Sequence, residues 1–163
     1  MAREVSDRRR GPEGRRGGFS LIELLMAVSI VGILAGLAIP NLRSMTYRAR
    51  AAEVDGDFQV VRTAVLQYNA DQFTWPAEVG TGVVPPELDG YLPEGFSFQG
   101  NGYELDYERL TGVFLPSDPS TTQLIAVAVT ADTDELSNAI VELLGGSIIY
   151  SSGRKHTVVI DRS

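Results

Sequence analysis

Cysteine is absent from the 163 residues, and histidine and tryptophan each occur once, at His156 and Trp75. Without cysteine there is no disulfide framework, thiolate metal site or cysteine nucleophile. One histidine cannot build a multi-histidine metal centre. The chain also lacks a glycine-rich phosphate loop, a zinc-ligand spacing and a nucleophile motif, so neither an enzyme nor a metal site is expected. Positive charge is scarce beyond the first eighteen residues. Six arginines against three acids give residues 1–18 a net +3, and the rest of the chain carries −10. A body of that sign does not attract nucleic acid through counterion release, so no nucleic-acid partner is expected. The length suits one ordinary domain.

What the sequence does have is one long apolar run. Phe19 to Ile39 holds twenty-one residues with a single charge, Glu23. As a helix it would be ~31 Å long, the thickness of a bilayer's hydrocarbon. It has no polar face, which excludes a surface amphipathic helix. The arginine-rich stretch before it predicts a cytoplasmic N-terminus by the positive-inside rule, with residues 40–163 across the membrane. A removable secretory signal is the rival, with Gly36-Leu37-Ala38 as a small-residue cut site. Against it, the run exceeds the usual ~7–15-residue apolar core and holds a carboxylate near its start.

Glu23 is costly there: insertion scales charge roughly 2.5 to 3.5 kcal/mol for an acid near the bilayer centre, less near its end. Such a residue is either a tolerated interfacial charge or waits for a cationic partner found only in an assembly. Gly32 and Gly36 form a G-x-x-x-G pair, the spacing that lets apolar helices approach closely. Pro40 lacks an amide hydrogen, so it marks a hinge or an end.

Arg15-Arg16-Gly17-Gly18 followed by Phe19-Ser20-Leu21-Ile22-Glu23-Leu24-Leu25, with Pro40 closing the apolar segment, resembles the start of a type IV prepilin or type II secretion pseudopilin. The resemblance covers about residues 15–45. It implies cleavage by a prepilin peptidase after Gly18, N-methylation of the new first residue Phe19, and an assembly role for Glu23. It further implies a structural subunit of a type IV pilus-like or type II secretion filament, partnered by other pilin subunits and an inner-membrane assembly platform. The subunit would sit in the cytoplasmic membrane as a single-pass protein and then in a periplasmic or cell-surface filament. The alternative is a permanently anchored extracytoplasmic ligand-binding or sensory domain.

Beyond the membrane-length segment, Val54, Phe58, Val61, Val65 and Tyr68 fall on one helical face, predicting an amphipathic continuation over 40–75 that covers a sheet. Residues 76–95 hold four of the eight prolines and read as loop. Asn101-Gly102 between Phe96-Ser97-Phe98 and Tyr103–Tyr107 signals a hairpin. Leu124–Thr130 reads as a strand, and Gly112–Leu115 as a weaker one. Asp132 with Glu135 reads as a capping pair for a helix over 133–144, ahead of a hairpin of Ser147–Ser151 and His156–Ile160. The expected fold is α+β: a leader (1–18), a membrane or filament-core helix (19–39), its amphipathic continuation (40–75), and a small antiparallel β-sheet with an added C-terminal helix and hairpin (76–163). Glu104, Asp106 and Glu108 read as a solvated strand face, and His156 as a surface residue. No cofactor is expected; Asp118, Asp132 and Asp134 supply the oxygens through which calcium would bind if it did.

Overall fold

A computed structural model describes residues 18–112 and 123–162. The leader before Gly18, Asp118, and most of the weak strand expected at Gly112–Leu115 lie outside the described residues. The chain divides between Pro40 and Asn41 into two compact units. One helix, α1 (Leu21–Gln72), supplies the first unit and opens the second. Pro40 therefore does not end the helix. Its nitrogen carries no hydrogen, so the helix lacks the ladder bond to the carbonyl of Gly36 there.

Among the described residues nothing packs over the large apolar side chains of the first unit. Those from Leu21 to Ile39 are exposed, Leu21 at 78% and Leu37 at 73%. The helix is long and apolar enough to cross a membrane. In the second unit the same helix becomes one-sided. Val54, Phe58, Val61 and Val65 are buried to 5% exposure or less, with Tyr68 packed beside them. Truncating Phe58 to alanine would cost about 3–5 kcal/mol, the usual cost of emptying such a site.

That stripe covers a four-stranded antiparallel sheet of β1 (Tyr103–Thr111), β2 (Gln123–Ala131), β3 (Ile148–Ser152) and β4 (Lys155–Arg162), ordered β1-β2-β4-β3. Tyr103, Leu105 and Tyr107 of β1, Ile125, Val127 and Val129 of β2, and Val158 and Ile160 of β4 join the helix stripe in one core. The hydroxyl of Tyr103 donates to Asp57 on α1, and that of Tyr107 to the carbonyl of Pro76. A second helix, α2 (Asp134–Leu144), adds Leu136, Ala139, Ile140 and Leu144 to the same core.

Two local expectations are corrected. Phe96–Phe98 is not a strand: only Gln99 bridges Glu104, and the chain turns tightly because the ring of Tyr103 lies where a side chain on Gly100 would be. The cap of α2 is Thr133, whose hydroxyl accepts from the amide of Leu136, rather than Asp132. At the end of α1, Phe73 takes the left-handed conformation, φ 55°, and its amide donates to the carbonyl of Asn69 at 2.8 Å. Glycine usually fills that position, and an L-residue there costs roughly 1–2 kcal/mol.

Candidate functional site

The candidate site is the beginning of α1. Gly18, Phe19 and Ser20 precede the helix, have no regular structure and are exposed, so the peptide bond between Gly18 and Phe19 stands open. No atom lies within 4 Å of where a side chain on Gly18 would start. The phenyl ring of Phe19 is 92% exposed. Two residues into the helix is Glu23. Its carboxylate accepts from the amide of Ser20 at 2.9 Å, while its own amide donates to the Ser20 hydroxyl at 3.2 Å. This reciprocal pair is a capping box, which satisfies two of the four amides that any helix leaves unpaired at its start. The S-x-x-E spacing was visible in the sequence, yet the partnership of Glu23 with Ser20 was not foreseen there.

Gly32 and Gly36 lie one turn apart in α1 with no atom within 4 Å of either missing side chain. Their face is open to another helix. Pro40 stands in the helix four residues beyond Gly36.

The other acidic and basic candidates lie in the second unit. Glu104, Asp106 and Glu108 are not a freely solvated row, because Asp106 is only 8% exposed. Lys155 reaches Asp106 at 3.0 Å and Glu108 at 2.7 Å, and the hydroxyl of Thr81 donates to Asp106 at 3.0 Å. Lys155 is on β4 and the acids are on β1, with β2 between them. In register Lys155 stands opposite Thr130, in the row of Glu104, so it reaches Asp106 and Glu108 diagonally, past their small β2 partners Ala128 and Ala126. The hydrogen bond to Glu108 holds the Lys155 ammonium above its ordinary pKa, with Asp106 adding to it.

His156 is buried at 3% exposure, contrary to its reading as a surface residue. Its Nε2 is 2.8 Å from the Ser137 hydroxyl of α2, and its Nδ1 is 2.9 Å from that of Ser151 on β3. Hydroxyls both donate and accept, so a neutral imidazole is fully satisfied there. Burial lowers its pKa. Among the described residues no group of three His, Cys, Asp or Glu stands close enough to hold a metal. Asp134 pairs with Arg154 at 3.8 Å, and Asp132 stands at the Gly102 turn.

A long helix, apolar first and one-sided later, laid on a small antiparallel sheet is the α+β architecture of pilins. Residues 14–39 match the family model described as the prokaryotic N-terminal methylation motif. The chain is 38% identical over 72 residues to the type IV major pilin protein PilE1 of Neisseria gonorrhoeae, covering 44% of this chain and 34% of that one. It is 35% identical over 63 residues to the type II secretion system core protein G of Pseudomonas aeruginosa, covering 39% and 44%. With the core protein G of Dickeya chrysanthemi it shares 30% identity over 91 residues, covering 52% and 60%. The chain thus spans between a third and three-fifths of the length of these relatives. No solved structure matches it. The similarities support the pilin and pseudopilin family.

Proposed function

We propose that this chain is the precursor of a structural subunit of a type IV pilus-like or type II secretion filament. The observation that carries the reading is the methylation motif over 14–39, joined to an apolar helical segment that nothing among the described residues covers. An uncovered segment of that length needs lipid or other helices as its surroundings. The two environments are the two stages of the subunit's life. In the membrane, residues 19–39 span the bilayer as a single pass, with the basic leader cytoplasmic and residues 40–163 on the far side. In the filament, the same residues form the shared helical core.

A prepilin peptidase cuts the open bond between Gly18 and Phe19, freeing an amine that methylation keeps cationic at neutral pH. Glu23 lies one helical turn away, and its carboxylate pairs with the amine of a neighbouring subunit. Two opposite charges buried together attract strongly but are costly to desolvate singly, so the pair fixes the register of stacking helices. Gly32 and Gly36 let neighbouring helices approach, and the weak ladder at Pro40 gives the helix room to bend. An inner-membrane platform adds subunits one by one. Everything done to this chain is done by other enzymes; it performs no catalysis itself.

The test is the N-terminal sequence and intact mass of the mature protein. A chain starting at methylated Phe19 is expected. A chain keeping Met1, or starting at Leu37 or Ile39, overturns the reading.

A further inference from the structure

We infer that the folded second unit carries its own head-to-tail contact with a second copy of this chain, in which Phe73 of one copy seats in a groove between α1 and α2 of the next. The inference rests on the filament reading and adds a contact outside the apolar helical core.

Phe73 carries two unfavourable features at once. It holds a left-handed backbone that glycine adopts freely, and its ring is 91% exposed. A strained aromatic left facing solvent buries almost none of its ring in its own molecule, whereas aromatic anchors seated in a partner's pocket are enriched among binding hot spots. The groove, about 270 Å³, is lined by Arg48, Ala51 and Ala52 of α1 and Ala139, Glu142 and Leu143 of α2. Its floor is methyl groups. Its rim is the exposed ion pair of Arg48 with Glu142 at 3.1 Å, which leaves the guanidinium placed to lie against an incoming ring.

Charge selects the occupant. Residues 41–52 contain Arg43, Arg48 and Arg50 and no acid. Residues 63–108 contain eight acids and neither lysine nor arginine. Asp71, two residues before Phe73, is exposed, as are Glu78, Asp89 and Glu94 in the loop that follows, and the Tyr91 hydroxyl, donating to Asp71 at 3.2 Å, ties that loop to the end of α1. The acidic end of one copy is therefore complementary to the arginine end of another. Because knob and groove are different patches of one surface, the contact is heterologous and propagates rather than closing on itself. Phe73 lies 21 to 25 residues beyond the α1 side of the groove, so copies with parallel helices would be offset by about 32–38 Å.

Native cysteine being absent, Phe73→Cys with Ala52→Cys in one full-length chain is a clean probe. The two positions are ~32 Å apart on one helix, so any disulfide between them joins two molecules. Mild oxidation of assembled filaments should give a ladder of covalent multimers. Filaments that stay monomeric on oxidation, or stop at a dimer, overturn the contact. Phe73→Gly should cut filament yield about tenfold or more while the full-length chain in detergent melts no lower than the native one. Normal yield from that variant overturns the contact too. Arg48→Glu should impair assembly and Asp71→Arg in the same chain should restore it; loss of membrane retention that Asp71→Arg does not relieve would assign the arginine end to lipid phosphate instead. Normal cleavage after Gly18 and normal filaments without the cross-link remove this contact alone, whereas absence of cleavage removes the filament reading with it.

Discussion

Ser20 and Glu23 cap the start of α1 for each other, amide to carboxylate at 2.9 Å and amide to hydroxyl at 3.2 Å. Glu23 thus has a partner inside its own chain before any neighbour arrives. Two substitutions separate the cap from the charge. Glu23→Gln keeps an oxygen that can serve a capping box and removes the charge, and Glu23→Val removes both. Both variants should be inserted and cleaved nearly as the native chain is, and both should be poorly incorporated into filaments. The measurement is processed protein in membranes against protein in sheared filaments. Native incorporation of Glu23→Gln with failure of Glu23→Val would make the cap, not the charge, the essential property.

A fragment beginning near Tyr47 should be soluble, folded and mainly monomeric. The stripe from Val54 to Tyr68 is covered by the sheet, whereas Leu21 to Ile39 has no cover among the described residues. Circular dichroism, thermal melting and sedimentation check it. An aggregated fragment lacking a cooperative melt would mean that the first half of α1 is needed to fold the second.

Stability should fall in mild acid because of His156. Its folded pKa is lowered by burial, so the unfolded chain takes up the proton first. The contribution is therefore complete above the unfolded value near 6.5 and is lost as pH drops below it toward the folded value. Melting temperatures of the native chain and of His156→Gln from pH 8 to 5 check this, and the variant should show the smaller loss. Parallel curves would remove His156 as the source.

Lys155→Met should destabilise the sheet by about 1–2 kcal/mol, a buried-pair cost reduced because the lysine is partly solvated. Asp106 and Glu108 would be left facing one another without a cation. Adding Glu108→Gln should recover part of the loss, as measured by chemical denaturation. The raised Lys155 pKa gives the opposite pH sign to His156: its contribution is present below about 10.5 and is lost as pH rises past the folded value.

The main elements were legible because their signals are local. Val54, Phe58, Val61, Val65 and Tyr68 repeat at helical spacing, and Ser152-Gly153 marks a turn whose glycine has φ 59°. The errors came where distant residues decide. Asp106 looks like any acid on an alternating strand until the fold sets Ala128 opposite it and brings the side chain of Lys155 across from β4. His156 stands beside two cations in sequence but faces Ser137 nineteen residues away. Phe96–Phe98 has strand-like composition, yet the tight turn over Gly100 leaves it only one bridge. Phe73 gave no signal at all, since its strain is a backbone angle and its exposure depends on what the fold leaves uncovered.

The sheet order has a consequence for how the protein is made. β2 lies between β1 and β4, and Leu124 to Val129 is buried on both faces. Its partner β4 is the last of the four strands to leave the ribosome, after α2 and β3. Until then Leu124-Ile125-Ala126-Val127-Ala128-Val129 is an uncharged, proline-free strand with an open edge, the composition from which cross-β stacks form. A chain truncated before Lys155 would therefore keep this apolar edge unpaired rather than form a slightly shortened subunit.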